Sequence, residues 1–200
     1  MNMGKEKYQR QIEELFKKSL VVNFNSIERI IKNKKNIKQY SKQVVRNLLL
    51  KGKIKRLTKG CYSVYEDPSL NVFCFQPSYL GLQDALSIHN LWEQETIPII
   101  ITSKKVRPGL RKTKLGNFLI RRINKKYLFG MEYKEQGDFY LLYSDIEKTL
   151  IDLIYFKQKI DKEVLTNIKK VINKKKLNRY LKKYPKRFNK MFENEFSFEA

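Results

Sequence analysis

One stretch, residues 26–65, limits this chain more than any other. Ser26 stands as an N-cap in front of Ile27, Ile30 and Ile31, a spacing that predicts a short helix with one apolar face. Residues 32–36 are polar and turn-like. A further helix is expected over 38–51, with Val44, Val45, Leu48 and Leu49 as its inner stripe and Gly52 just past its end, where glycine accepts the left-handed backbone of a helix stop. Ile54, Lys55, Arg56 and Leu57 then form one β-prone run and residues 61–65 another. Thr58, Lys59 and Gly60 between them read as the turn of a hairpin. Two helices followed by a basic hairpin is the sequence shape of a winged helix-turn-helix.

The charge of this stretch points to its partner. Between residues 24 and 60 there are twelve Lys or Arg and one acid, Glu28. The whole chain carries a formal net charge of +23, which selects nucleic acid first and an anionic surface second. A composition rich in Lys, Asn and Ile inflates such a total, so its distribution says more. Residues 1–66 hold 17 basic and 5 acidic side chains, residues 67–157 hold 13 and 10, and residues 158–200 hold 13 and 5. Both ends are strongly positive while the middle is nearly balanced, which a uniform bias does not produce.

On the helix over 38–51, the side away from the apolar stripe carries Lys38, Gln39, Lys42, Gln43, Arg46 and Asn47. Gln39, Lys42, Gln43 and Arg46 recur every three or four residues and share a face. Arg and Lys donate to guanine O6 and N7, and Gln and Asn bond adenine through two contacts, so these side chains suit the major groove. Lys53, Lys55, Arg56 and Lys59 on the hairpin suit phosphates or the neighbouring minor groove. These ten residues are the expected DNA-binding set. The bland reading of the same pattern is a solvated helix face.

The rest of the chain reads as a mixed α/β region with a helical tail. A helix over 5–20 precedes the basic stretch, with Tyr8, Ile12, Leu15, Phe16 and Leu20 inward. Glu66, Asp67, Pro68 and Ser69 break the pattern and mark a domain boundary. Beyond it come a helix over 78–90, strands over 97–102, 118–123, 131–133 and 139–142, and a helix capped by Ser144 or Asp145 that runs to Phe156. Residues 161–192 are helical and basic, and the interleaved Leu177, Tyr180, Leu181, Tyr184 and Phe188 predict docking on the preceding domain. The expected fold class is α+β: a winged helix-turn-helix domain over 1–66, an α/β domain over 67–157 and a basic helical tail over 158–200. The basic surface of that tail reads first as a solvated helical face and second as a supplementary phosphate-contacting arm.

Chemistry has few footholds here. No window approaches eighteen consecutive apolar residues, which argues against a membrane span. The polar residues 1–10 lack the apolar core of a secretion signal, so a cytoplasmic location is expected. Cys61 and Cys74 lack the spacing of a zinc site and read as free thiols. His89 is the only histidine and reads as a helix-end residue. Asp145 and Glu147 suit the first turn of a helix, and Trp92 and the scattered aromatics read as packing material. Glu132 and Lys134 have an acid-x-Lys spacing that, with Glu93 or Glu95, would suit a metal-dependent DNA nuclease. That is one alternative, and a basic RNA-binding protein is another. The main reading is not an enzyme and uses no cofactor or metal.

Three blocks carry a family resemblance. Leu48, Gly52, Lys53, Ile54, Arg56, Leu57, Lys59, Gly60 and Tyr62 form the first. The second runs over 77–91, from Pro77 through Leu82, Ala85 and Leu86 to His89 and Leu91. The third runs over 143–153 and includes Lys148, Thr149, Leu150, Asp152 and Leu153. In this order they resemble the AbiEi family of antitoxins and related transcriptional regulators. The resemblance implies a DNA-binding winged helix followed by an α/β domain. It further implies a repressor of its own operon that counteracts a nucleotidyltransferase-type toxin encoded beside it, without lasting contact between the two. An inverted-repeat operator on double-stranded DNA, with room for a homodimer, goes with that reading.

Overall fold

The computed structural model describes residues 3–31 and 36–196. The chain forms two compact units, one of residues 1–74 with 112–117, the other of residues 75–111 with 118–200.

The first unit opens with helix α1 (Met3–Lys18) and a two-residue strand β1 (Val22–Asn23). Helix α2 (Phe24–Ile30) follows, then α3 (Ile37–Leu50) and strands β2 (Lys55–Thr58) and β3 (Cys61–Ser63). The strands make an antiparallel sheet in the order β1-β3-β2. Its core gathers Ile12 and Phe16 from α1, Ile27 from α2, Val45 and Leu48 from α3, Val22 and Tyr62 from the sheet, and Ile54 just ahead of β2. Three helices and the strands β1 and β3 thus share one apolar centre, which strands of two and three residues need because they are not stable alone.

Local signals differ in instructive ways from the sequence reading. Ser26 lies inside α2, whose N-cap is Asn23 without a side-chain cap bond. Pairing of Val22 with Tyr62 and of Asn23 with Cys61 fixes the chain just ahead of α2, so tertiary pairing rather than a hydroxyl sets its start. Asn36 caps α3 by accepting from the Gln39 backbone N–H at 3.3 Å. The remainder of the turn expected over 32–36 lies outside the described residues. Val45 and Leu48 are buried, whereas Val44 and Leu49 are only half-buried at the edge of the stripe. Thr58 belongs to β2, and the register shifts between Arg56 and Thr58. The turn is therefore Lys59-Gly60, with Gly60 at φ 79°, a value that favours glycine.

A 3-10 helix (Pro68–Phe75) occupies the expected boundary, and its Leu70 and Val72 are fully buried. The compact units divide at residues 74 and 75, beyond the 66/67 break suggested by Pro68.

The second unit is built on a six-stranded mixed sheet. Its strands are β4 (Ser78–Leu80), β5 (Ile99–Thr102), β6 (Gly109–Thr113), β7 (Gly116–Arg122), β8 (Met131–Gln136) and β9 (Phe139–Ser144), in the order β6-β7-β5-β4-β9-β8. β5 runs parallel to β7 and β4 parallel to β9, while β4–β5 and β8–β9 are antiparallel. Residues 78–80 are strand, not the start of a helix. Tyr79 and Leu80 are buried, and a central strand covered on both faces has a continuous apolar run that periodicity cannot separate from a helix. Helix α4 (Gln83–Ile88) begins only after Leu82, which takes φ 59°.

Helix α5 (Ile146–Tyr155) is buried along nearly its whole length. The tail is three helices: α6 (Lys162–Val171), α7 (Lys174–Leu181) and α8 (Lys186–Glu195). It breaks where Asn173 caps α7 and where Pro185 precedes α8. Ile168, Leu177, Tyr180, Tyr184, Phe188 and Phe192 join the same core as Tyr79, Leu86, Leu150 and Ile154, so the tail completes this unit. The Tyr184 ring stacks on Tyr127 at 4.2 Å and on Phe188 at 4.6 Å. Cys61 and Cys74 are buried, and the Cys61 thiol donates to Asn23 Oδ1 at 3.1 Å. Among the described residues, no helix is long and apolar enough to cross a membrane.

Candidate nucleic-acid interface

Helix α3 puts its apolar stripe and its polar face where the period of 3.6 demands. Ser41, Val45 and Leu48 are buried, and the Ser41 hydroxyl donates to the Ile37 carbonyl at 2.7 Å. Lys38, Gln39, Lys42, Gln43, Arg46 and Asn47 are all exposed. Gln43 donates through Nε2 to Asn47 Oδ1 at 3.0 Å, which orients that amide pair along the helix. Among the described residues, Lys38, Lys42 and Arg46 have no acidic partner. Their charge faces water with nothing to cancel it.

The hairpin residues divide into two kinds. Arg56 and Lys59 are exposed and have no ion-pair partner among the described residues. Lys53 instead meets Glu13 at 2.6 Å, and Lys55 meets Glu66 at 2.5 Å. The hydrogen bond from Lys53, then that from Gln9, holds the Glu13 carboxyl below its ordinary value. Lys53 thus ties α1 to the residues after α3, and its charge is partly spent before any ligand arrives. The pairings with Glu13 and Glu66 join distant parts of the chain and have no local signature.

Unit two uses its charges differently. Lys148 and Asp152 are fully buried and paired one helical turn apart on α5, and the Tyr79 hydroxyl donates to the same carboxylate at 2.6 Å. Burial pushes the Lys148 ammonium down and the Asp152 carboxyl up from their ordinary values, and their mutual attraction offsets part of that cost. Asp145 caps α5 by accepting from the Lys148 backbone N–H at 2.8 Å, and it also accepts from the Tyr180 hydroxyl at 2.8 Å. Burial and then this bond push the Tyr180 hydroxyl up to about 12. Lys176 on α7 reaches Asp145 at 3.1 Å and Glu147 at 3.0 Å. Burial works against the Lys176 ammonium, yet bonds to Glu147 and Asp145 outweigh it and lift the group above its ordinary value. These contacts rivet α7 to α5. The block over 143–153 is therefore core architecture, with Thr149 bonded to Ser144 at 2.7 Å.

The remaining candidates have ordinary settings. His89 ends α4, and its Nε2 lies 2.8 Å from the Ser144 carbonyl. Glu132 pairs with Lys134 at 2.9 Å, and its carboxylate is 4.0 Å from His89. Among the described residues, no group of three or more His, Cys, Asp or Glu is placed to hold a metal ion. In the tail, Lys183 sits 3.9 Å over the Phe129 ring, so part of that basic surface serves packing.

No family model and no curated protein matches the chain in sequence. Among solved structures it is similar to the RV2827C protein from Mycobacterium tuberculosis. The TM-score is 0.58 at 11% identity, over 94% of this chain and 75% of that one. That likeness concerns the fold alone.

Proposed function

We propose that the first unit is a winged helix-turn-helix and that the protein is a sequence-specific DNA-binding transcriptional regulator. α3 is the recognition helix in the major groove, with Gln39, Lys42, Gln43 and Arg46 at base edges. Arg56 and Lys59 on the β2–β3 hairpin take phosphates beside it. The observation that carries this reading is the α3 face itself, six exposed Lys, Arg, Gln and Asn side chains without an acid among them. An exposed helix with only a solvating role has no reason to exclude acids, and Glu–Lys pairs four apart would stabilise it better.

From the three blocks that resemble AbiEi antitoxins, the reading extends to a repressor of its own operon that opposes a nucleotidyltransferase toxin. A nucleotidyltransferase gene in the adjacent reading frame supports that extension, and its absence removes it while leaving DNA binding intact. Footprinting on the protein's own promoter tests the core of the proposal. Protection of an inverted repeat is expected, and Arg46→Ala abolishes it at the same protein concentration. Promoter DNA left uniformly open by the wild-type protein overturns the reading.

A further inference from the structure

A second cationic element lies in the first unit, contributed by a part of the chain far from α3. Residues 112–117, the turn between β6 and β7 with the adjoining ends of both strands, belong to the same compact unit as residues 1–74. There Lys112 and Lys114 line a groove of about 920 Å³ together with Lys55, Arg56 and Glu66, over a floor that includes Leu57 and Leu115. Lys112 and Lys114 are exposed, and among the described residues neither has an ion-pair partner. The turn that presents them is internally braced. The Thr113 hydroxyl donates to the Gly116 carbonyl at 2.7 Å and accepts from the Leu115 backbone N–H at 3.2 Å. Pro68 packs 3.3 Å from where a Cβ on Gly116 would lie. The groove thus has four cations and one acid, and the acid neutralises one of the cations, Lys55.

We propose that this groove is a second phosphate track for the duplex read by α3, in which Lys112, Lys114 and Arg56 contact the backbone. Glu66, by holding Lys55, sets the strength of the sequence-independent part of binding. The inference rests on the α3 reading and adds to it a contact made by a remote segment. Phosphate contacts carry no sequence information but fix register and supply most non-specific affinity. An acid in such a track acts as a brake, which lowers the affinity of a chain of net charge +23 for every duplex alike.

The test is fluorescence anisotropy with a labelled duplex of random sequence and one of the protein's own promoter, each across a salt series. Four proteins are compared: wild type, Arg46→Ala, the double variant Lys112→Ala/Lys114→Ala, and Glu66→Gln. Each lost phosphate contact lowers the slope of log K against log salt by about 0.9. The double variant therefore loses about two units of slope on both duplexes. Glu66→Gln gains up to about one unit by releasing Lys55, a gain that damage to the fold cannot mimic. Unchanged melting curves show that the exposed substitutions leave the fold intact. If Arg46→Ala weakens binding but the double variant and Glu66→Gln leave both slopes unchanged, the groove proposal fails alone. If the wild type binds neither duplex, the α3 reading fails and the groove with it. A labelled single-stranded RNA is titrated in parallel, and loss of binding by the double variant on that RNA but not on duplex DNA also overturns the proposal, assigning the groove to RNA.

Discussion

Basic side chains do opposite work on α3 of the first unit and on α5 and α7 of the second. On α3, Lys38, Lys42 and Arg46 stand in solvent with no acidic partner among the described residues. On α5 and α7, Lys148 and Lys176 are locked to Asp152, Asp145 and Glu147, and Lys148 has no exposed surface. Unpaired exposed charge costs little stability and retains its attraction for an outside anion. Buried paired charge has spent that attraction on its partner and gives position in return. The open face of α3 and the paired lysines of α5 and α7 are thus two different uses of the same residue types.

The largest effect that would sharpen this contrast lies in the buried pair. Lys148→Met or Asp152→Asn alone leaves an uncompensated group in the core and should cost about 3–5 kcal/mol. Replacing both by apolar residues should recover most of that loss. The single Trp92, packed against the second unit's core, reports the transition in denaturant. Single variants that cost almost nothing would break the contrast.

A smaller effect, in binding rather than stability, is expected at α3. Arg46→Ala should weaken binding to a cognate duplex by about 1–3 kcal/mol and leave the melting temperature where it was. Titration of promoter DNA by anisotropy gives the first number and calorimetry the second. Lys176→Ala should reverse this pattern. The two carboxylates it contacts are buried and lose their cation, so a destabilisation of about 1–3 kcal/mol is expected, with DNA affinity unchanged. Hydrogen exchange confined to faster opening of α7 would be its signature. The smallest change is Gly60→Ala. Nothing stands within 4 Å of the added methyl, so only the left-handed backbone resists it, at about 1 kcal/mol.

How far the sequence foretold this depends on how local each cause is. The stripe and polar face of α3 follow from spacing alone, and so do Gly52 after the helix, the cap at Asp145 and the tail's apolar anchors Tyr180, Tyr184 and Phe188. What escaped depends on partners far along the chain. Tyr79 and Asp152 meet across 73 positions, and Lys53 and Glu13 across 40. β4 was hidden because a strand buried on both faces lacks alternation. β6 escaped for the opposite reason, since Leu110 is exposed and its neighbours are polar, leaving no apolar face to announce a strand. Of the candidate interface, the α3 residues were legible singly. The pairing of Lys53 and Lys55 with acids, and the grouping of residues 112–117 with the first unit, required the folded chain.

The most direct measurement is the salt dependence of wild-type binding to a duplex. With α3 and its hairpin gripping several phosphates at once, log K should fall steeply and linearly with log salt, by about 0.9 per contact, and Arg46→Ala should shift the whole line to weaker binding. A flat response, or a line identical for wild type and Arg46→Ala, would contradict the account.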